Sequence, residues 1–341
     1  MDYKSFDHIT LNQKLFSKKE VLELEPKEKN HIKEVIEFLK EWFSDSTEIT
    51  VQTSGSTGTP KEISIPKQSF VESAKNTCEY LKLDKNINAL LCIPVKYIGG
   101  KMMVIRALVS GYNLIVQEPS SNPLVNLTTP IDFIAITPMQ ALKCLEDSPK
   151  KLQEINQIII GGGAVSESFI NQIQYFSNQF YSTYGMTETV SHIALKRLNG
   201  ELKSDSFELL PSYSVSVNEE KCLVIDCPTL SPKSILTNDI AELTERGFKW
   251  LGRRDNVINS GGIKLFPETI EQKIKTNYPN LTFYITSKKD ELLGEKLVLV
   301  CEKEVEINLN DLELEKYETP KEIIVKEISL TETGKIKREK I

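Results

Sequence analysis

The stretch ALLCIPVKYIGGKMMVIRALVSGYNLIVQ, residues 89–117, sets the rhythm of the chain. Ala89–Ile93 is a wholly apolar run of strand length. GGKMMVIRALVSG follows with helical periodicity, and NLIVQ at Asn113–Gln117 is strand-like again. The same alternation extends from Glu48 to about Tyr184. DFIAI at Asp132–Ile136 precedes a helix near Met139–Glu146, QIIIGG precedes the helical Ser166–Phe176, and QFYSTYG closes the series. Strands alternating with helices of this size predict a parallel sheet wrapped by helices. The near-continuous Val, Ile and Leu of those strands predict burial on both faces.

Outward from this region the pattern changes on both sides. Upstream, the first 50 residues are charged and weakly apolar, except that HIKEVIEFLKEWF (His31–Phe43) reads as an amphipathic helix. Downstream, helical periodicity fades from about Phe207 to Leu251, and short alternating runs predict an antiparallel or barrel-like subdomain. Beyond Asp255, FPETIEQKIKTNY is helical, with Pro267 where a missing N–H costs little. The strands TFYIT, KLVLVCE and EIIVKEI complete a small α+β module. The expected fold is therefore α/β. A large N-terminal domain, residues 1–254, carries helix-flanked, mostly parallel sheets and a β-rich subdomain, and a small α+β C-terminal domain spans residues 255–341.

Composition narrows the function. Of 341 residues, 40% are hydrophobic and 26% charged, which is ordinary for a globular chain and excludes wholesale disorder. A net charge of −6 argues against a general nucleic-acid binder. The longest apolar runs fall far below the roughly 20 residues that cross a bilayer, and MDYKSFDHIT lacks the apolar stretch of a signal peptide. The expectation is a cytoplasmic soluble protein with no membrane span. Six cysteines make no disulfide framework: Cys78, Cys92, Cys144 and Cys301 read as small buried hydrophobes. Cys222 and Cys227 flank LVID at a spacing unlike a metal motif. With three histidines in all, a structural zinc site is not expected.

Thr53–Lys61, TSGSTGTPK, interleaves Thr53, Ser54, Ser56 and Thr57 with Gly55 and Gly58 after the strand-like ITVQ. Such a loop can turn N–H groups toward a pyrophosphate while Lys61 adds a charge; composition fits a flexible surface loop equally well. It is not a Walker A loop. Tyr184-Gly185-Met186-Thr187-Glu188 falls at a strand end, where open α/β sheets bind ligands. Glu188 could ligate Mg²⁺ there, or Thr187 could merely cap a helix. Asp239, in LTND, could accept from two vicinal hydroxyls or be a turn residue. Arg253 and Asp255 precede the Gly261-Gly262 pair at the domain boundary, a turn or a hinge. Lys335 sits near the end, where lysines are usually just solvated.

The order of these motifs resembles the adenylate-forming acyl-CoA synthetase superfamily, which includes luciferase and nonribosomal adenylation domains. TSGSTGTPK, GGGA at Gly161–Ala164, YGMTE, LTND, GRRDNVINSGGIKLFPETIE at Gly252–Glu271 and TETGKIKRE carry the resemblance over nearly everything after residue 50. It implies that Thr53–Lys61 binds the ATP phosphates, Thr187 the α-phosphate and Glu188 Mg²⁺. Gly162, Gly163 and Ala164 would lie along the adenine, with Tyr184 stacking on it beside Gly185 and Met186. Asp239 and Arg253 would hold the ribose, Asp255 would be the hinge of a mobile C-terminal domain, and Lys335 would be the adenylating lysine. The chain departs from the family at Ser329, where proline is frequent, and at Asn256, where a second aspartate is common.

The short N-terminal part, with PVKYIGGKMM and ETVSHIAL, resembles the short o-succinylbenzoate–CoA ligases of menaquinone synthesis. The resemblance implies a small-molecule carboxylic acid, ATP and coenzyme A as partners, and leaves the oligomeric state open. The alternatives are another aryl- or fatty-acid–CoA ligase, a loader of carrier-protein thiols, or a non-enzymatic adenylate-binding relative. Lys101, opening a helix after Tyr97, is expected to meet a second carboxylate of the acid. Tyr97 would stack on the ring and His192 would add a donor from the loop after Glu188; the plain readings are an exposed helix-start lysine and a core histidine.

Overall fold

The computed structural model of the protein describes residues 2–25, 30–52, 62–228, 233–279, 281–304, 307–309, 312–329, 336–339 and 341. The chain divides into two compact units. The first comprises Met1–Ala164, Ile173–Ser214 and Asp226–Ser234. Its strands are β1 (His8–Leu11), β2 (Lys14–Ser17), β3 (Glu48–Gln52), β4 (Glu62–Pro66), β5 (Asn88–Leu91), β6 (Asn113–Val116), β7 (Phe133–Ile136), β8 (Gln157–Ile160), β9 (Gln179–Gly185), β10 (His192–Arg197) and β11 (Phe207–Leu209). Its helices are α1 (Lys18–Glu23), α2 (His31–Phe43), α3 (Lys67–Tyr80), α4 (Ile98–Ser110), α5 (Pro138–Asp147) and α6 (Pro149–Glu154).

The main sheet of this unit runs β11-β10-β9-β8-β7-β5-β6-β1-β2. All neighbours from β9 through β1 are parallel, as the alternating pattern predicts. Every residue of β7 is buried, so its unbroken FIAI is what a two-faced interior strand requires. Antiparallel β10 and β11 extend one edge. At the other edge stands the hairpin β1–β2, with β1 parallel to β6 through Thr10↔Asn113. This hairpin is not anticipated by the sequence reading, because Ile9 and Leu11 alone are too short an apolar signal. Helix α2 spans the residues predicted for it, while β3 and β4 form a separate antiparallel pair outside the main sheet.

The second unit comprises Val165–Gln172, Val215–Ile225 and Ile235–Ile341. It contains α7 (Glu167–Ile173) and the strands β12 (Ser214–Val217), β13 (Cys222–Asp226), β14 (Ile235–Thr244) and β15 (Gly247–Arg253). Strands β13, β14 and β15 pair antiparallel, as expected for the β-rich region. Then follow β16 (Ile258–Ser260), β17 (Ile263–Leu265), α8 (Pro267–Asn277), β18 (Phe283–Asp290), β19 (Gly294–Cys301) and β20 (Glu322–Val325). Their sheet is ordered β17-β16-β19-β18, with β20 parallel to β19. Helix α8 closes one face through Ile270 and Ile274, which pack with Phe283, Ile285 and Leu299. Thr269 Oγ1 donates to the Leu251 carbonyl at 2.8 Å and ties α8 to β15. All six cysteines are buried free thiols, as read from the sequence for Cys78, Cys92, Cys144 and Cys301. Among the described residues no helix is long and apolar enough to cross a membrane.

Helix α4 is the central helix of the first unit, buried at nine of its positions from Gly100 to Leu108. Its first turn lies so close to the end of β5 that a methyl on Gly100 would stand 2.4 Å from the Pro94 carbonyl oxygen and 2.8 Å from that of Ile93. Both are backbone atoms and cannot swing aside. A methyl on Gly99 would meet only Ile93 side-chain carbons at 3.9 Å or more. Gly100→Ala is therefore expected to destabilise by about 1–3 kcal/mol, the usual range for overpacking. Gly99→Ala should be neutral or slightly stabilising. Denaturant midpoints of the two variants check this pair, and equal midpoints would refute the close-approach argument.

Candidate active site

In the first unit, parallel pairing of β8 with β9 sets two of the expected motifs side by side at the strand ends. Gly161 directs its N–H to the Ile136 carbonyl and lies against Thr183 Oγ1. Beyond it Gly162 and Gly163 are exposed, Ala164 likewise, and a methyl on Gly162 would meet nothing within 4 Å. This is open space at the C-terminal end of β8. The Tyr184 ring, half-buried at the end of β9, is 5.7 Å from that of Phe207.

The segment after Tyr184 is shaped by backbone contact. A methyl on Gly185 would lie 2.4 Å from the Ser191 carbonyl oxygen and 2.5 Å from His192 Cα, so only glycine lets β9 and β10 meet there. The pairing is bulged between His192 and Ala194. Thr187 to Thr189 form a single 3₁₀ turn pinned by the buried Thr189 hydroxyl. That oxygen accepts the Met186 N–H at 3.0 Å and donates to the Ser191 carbonyl at 2.7 Å. Val190 follows at φ 66°, ψ −47°, and the Ser191 N–H reaches back to the Thr189 carbonyl at 2.7 Å. This is the rare γ-turn, held by a β-branched residue, a strain of about 1–3 kcal/mol that persists only when its surroundings impose it. Thr187 is thereby left half-buried and Glu188 exposed.

His192 opens β10 instead of lying in a loop, and it is buried. Its Nε2 stands 3.0 Å from Thr77 Oγ1, and Thr77 donates to the Ser73 carbonyl, so Nε2 carries the proton. Its Nδ1 faces Ser191 Oγ at 3.4 Å. That oxygen accepts from Arg106 Nη2 at 2.8 Å. Burial, then the charge of Arg106, hold the His192 pKa well below its usual value, so the ring is neutral.

Arg106 is the residue the sequence reading overlooks, because it sits on α4 among apolar neighbours. It is 2% exposed. Its Nη1 faces Met103 Sδ at 3.8 Å and its Nε has no hydrogen-bond partner. Among the described residues no carboxylate pairs with it, and burial pulls its pKa below the usual arginine value. Lys101, by contrast, is drawn to α2: its Nζ is 3.6 Å from Glu41 Oε2 and 4.3 Å from the centre of the Phe38 ring. Tyr97 is exposed, with Lys96 over its ring. Neither Lys101 nor Tyr97 meets His192 in a hydrogen bond or ring contact.

The second unit brings together three more predicted residues. Asp239 is buried in β14 and accepts from Trp250 Nε1 at 3.0 Å. Arg253, at the end of β15, places Nη1 3.8 Å from Asp239 Oδ1 and Nη2 3.3 Å from Asp255 Oδ2. Asp255 is exposed in a 3₁₀ turn and also receives Asn238 Nδ2 at 3.4 Å. Thr53–Lys61 and Lys335 lie outside the described residues. Among the described residues no group of three or more His, Cys, Asp or Glu side chains could hold a metal by itself. A single exposed carboxylate such as Glu188 fits Mg²⁺ that takes most of its oxygens from phosphate and water.

The first unit thus carries a parallel sheet with a glycine-rich strand end and a strained TE turn, and the second carries a paired Asp–Arg. The AMP-binding enzyme family matches residues 9–247, and the chain belongs to that family. It is 27% identical over 263 residues to the 2-succinylbenzoate–CoA ligase of Haemophilus influenzae, covering 73% of this chain and 58% of that protein. It is 26% identical over 325 residues to the Staphylococcus epidermidis 2-succinylbenzoate–CoA ligase, covering 85% and 68%. The chain thus spans less than two thirds of the H. influenzae protein's length. Among solved structures, an acyl-CoA synthetase (AMP-forming)/AMP-acid ligase II-like protein from Dyadobacter fermentans is 34% identical with a TM-score of 0.67, covering 94% of this chain and 96% of that one. The o-succinylbenzoate CoA synthetase of Bacillus subtilis with its acyl-adenylate shares the fold at 19% identity and a TM-score of 0.72, covering 87% and 72%.

The neutral state of His192 has a pH consequence. Its folded pKa is depressed below the unfolded value of about 6.5. Its contribution to stability is complete above that value and is lost as the pH falls below it toward the folded pKa. The melting temperature should therefore decline between about pH 7 and pH 5. His192→Gln, which can still donate to Thr77 and accept from Ser191, should flatten that decline. Parallel pH profiles for the two proteins would contradict the neutral assignment.

Proposed function

We propose that this protein is an ATP-dependent, AMP-forming acid–CoA ligase acting on an aromatic dicarboxylic acid, 2-succinylbenzoate, in menaquinone biosynthesis in the cytoplasm. The substrate's carboxylate attacks the α-phosphorus of ATP, giving acyl-adenylate and releasing pyrophosphate. The CoA thiol then loses its proton, attacks the activated carbonyl and expels AMP. Residues Thr53–Lys61 would hold the phosphates, with the Thr187 hydroxyl at the α-phosphate. Glu188 would hold Mg²⁺, whose charge offsets that of the phosphates. Asp239 and Arg253 would take the ribose hydroxyls. Lys335 would supply charge to the first transition state alone. Residues 255–341 would turn about Asp255 between the two steps. Asp255 has partners at 3.3 and 3.4 Å that are exposed enough to exchange readily.

The observation that carries the choice of acid is Arg106. A guanidinium that is 2% exposed, with one nitrogen unpartnered and no carboxylate among the described residues paired with it, is a costly thing to bury. The Ser73 and Tyr213 hydroxyls are also buried without a well-formed hydrogen bond, and burial pushes the Tyr213 phenol up to about 12. A second carboxylate on the substrate would complete this charge and these donors at once. Lys101 already shares Glu41, so its ammonium is the weaker candidate for that contact.

Pyrophosphate release and thioester formation should be measured on a panel of acids. 2-Succinylbenzoate is expected to lead, with benzoate, phenylacetate and fatty acids far behind; preference for a monocarboxylic acid would overturn the reading. Arg106→Met should leave thermal stability unchanged or raised, because it removes an uncompensated buried charge. The same variant should raise KM for the dicarboxylic acid by about 100-fold or more, the scale of a lost buried charge contact. KM for ATP should hardly move.

A further inference from the structure

Residues 336–339, which follow Lys335, are held by both packing and hydrogen bonds. Ile336 packs with Tyr284, Val298 and Ile328. The Lys337 N–H donates to the Ser329 carbonyl at 2.9 Å. Arg338 makes a two-pronged pair with Glu271 of α8, with Nη2 donating to Oε2 at 2.7 Å and Nη1 to Oε1. Glu271 Oε1 also accepts the Ile285 N–H at 2.7 Å, and Arg338 Nη1 reaches the Ile285 carbonyl at 3.4 Å. The Thr286 hydroxyl donates to the Glu339 carbonyl at 2.9 Å. The paired side chains are 23% and 16% exposed. Glu268, one turn earlier on α8, lies 3.9 Å from Arg338 Nη2 and accepts from Asn256 Nδ2 in the turn that contains Asp255.

A mostly buried, bidentate Arg–carboxylate pair differs from a surface ion pair. Its geometry is fixed by two parallel hydrogen bonds, and losing one partner strands a buried charge. We infer that Arg338 is a positioning residue for adenylation: by locking residues 336–339 to α8 and β18 it fixes the point from which Lys335 reaches. The lysine is one peptide, about 3.8 Å between Cα atoms, from the anchored Ile336. This inference rests on the reading of Lys335 as the adenylating lysine.

The test uses the full-length protein and both half-reactions. Arg338→Met should lower kcat for pyrophosphate release by about tenfold or more, with KM for ATP within about twofold. Thioester formation from pre-made acyl-adenylate and CoA should stay within about twofold. Arg338→Lys, which keeps charge but not the fork, should fall between. In a Lys335→Ala background, Arg338→Met should add nothing, because its effect runs through the missing lysine. Amide exchange over residues 336–339 should accelerate in Arg338→Met whether or not substrate is present. If Arg338→Met fails to fold, Glu271→Gln retains an acceptor for the Ile285 N–H and should show the same split between half-reactions. Equal losses in both half-reactions, or an undiminished Arg338 effect without Lys335, would overturn the inference while leaving the functional reading intact. A parent protein that releases no pyrophosphate with any acid would overturn that reading, and this inference with it.

Discussion

The backbones of β9 and β10 approach at Gly185 until a single added carbon would lie 2.4 Å from the Ser191 carbonyl oxygen. The geometry of the first unit's site follows from that contact. Because the strands meet so closely, the chain between them must reverse within a few residues, and it does so through a 3₁₀ turn and a γ-turn at Val190. The strained valine is fixed from both sides: Thr189 bonds across the reversal, and β10 resumes pairing at His192. Thr187 and Glu188 are consequently presented on a rigid corner. Groups held on such a corner need not reorganise when a charge develops beside them.

The same corner fixes the polar chain behind it. Arg106 donates to Ser191, Ser191 faces His192, His192 donates to Thr77, and Thr77 donates to a helix carbonyl. Every member except Arg106 is neutral. A neutral chain can be buried at little cost once each donor finds an acceptor. The one cation at its end cannot, and among the described residues the fold leaves that imbalance in place. In the second unit the opposite solution appears: Arg338 is satisfied by Glu271, and the pair serves to hold chain and helix together. Among the described residues, one buried arginine has a carboxylate and the other lacks it.

Much of this was legible from residue order. The helix His31–Phe43 and the strand Gln179–Gly185 stand where periodicity placed them, as does the antiparallel character of the region after Phe207. The buried cysteines agree with the reading of their neighbours. Local pattern suffices in these cases because apolar spacing reports directly which face of an element leaves water. The GGGA and YGMTE segments were also identifiable, through their resemblance to motifs of adenylate-forming enzymes. The hairpin at His8–Ser17 was not legible, because its two inward side chains become a pattern only when β6 offers an edge to pair with.

The sequence alone therefore determined the class of fold, the order of its motifs and the residue types available for nucleotide chemistry. Only the tertiary structure decided which charges are balanced. Lys101 and Arg106 look alike in the sequence, two cations on one helix five positions apart. Folding gives Lys101 the Glu41 carboxylate from α2, and gives Arg106 a serine, a thioether and an unpartnered nitrogen. Spacing along a helix says which way a side chain points. Whether a counter-charge waits there depends on residues far away in the chain, and in water-poor surroundings that counter-charge outweighs every local preference.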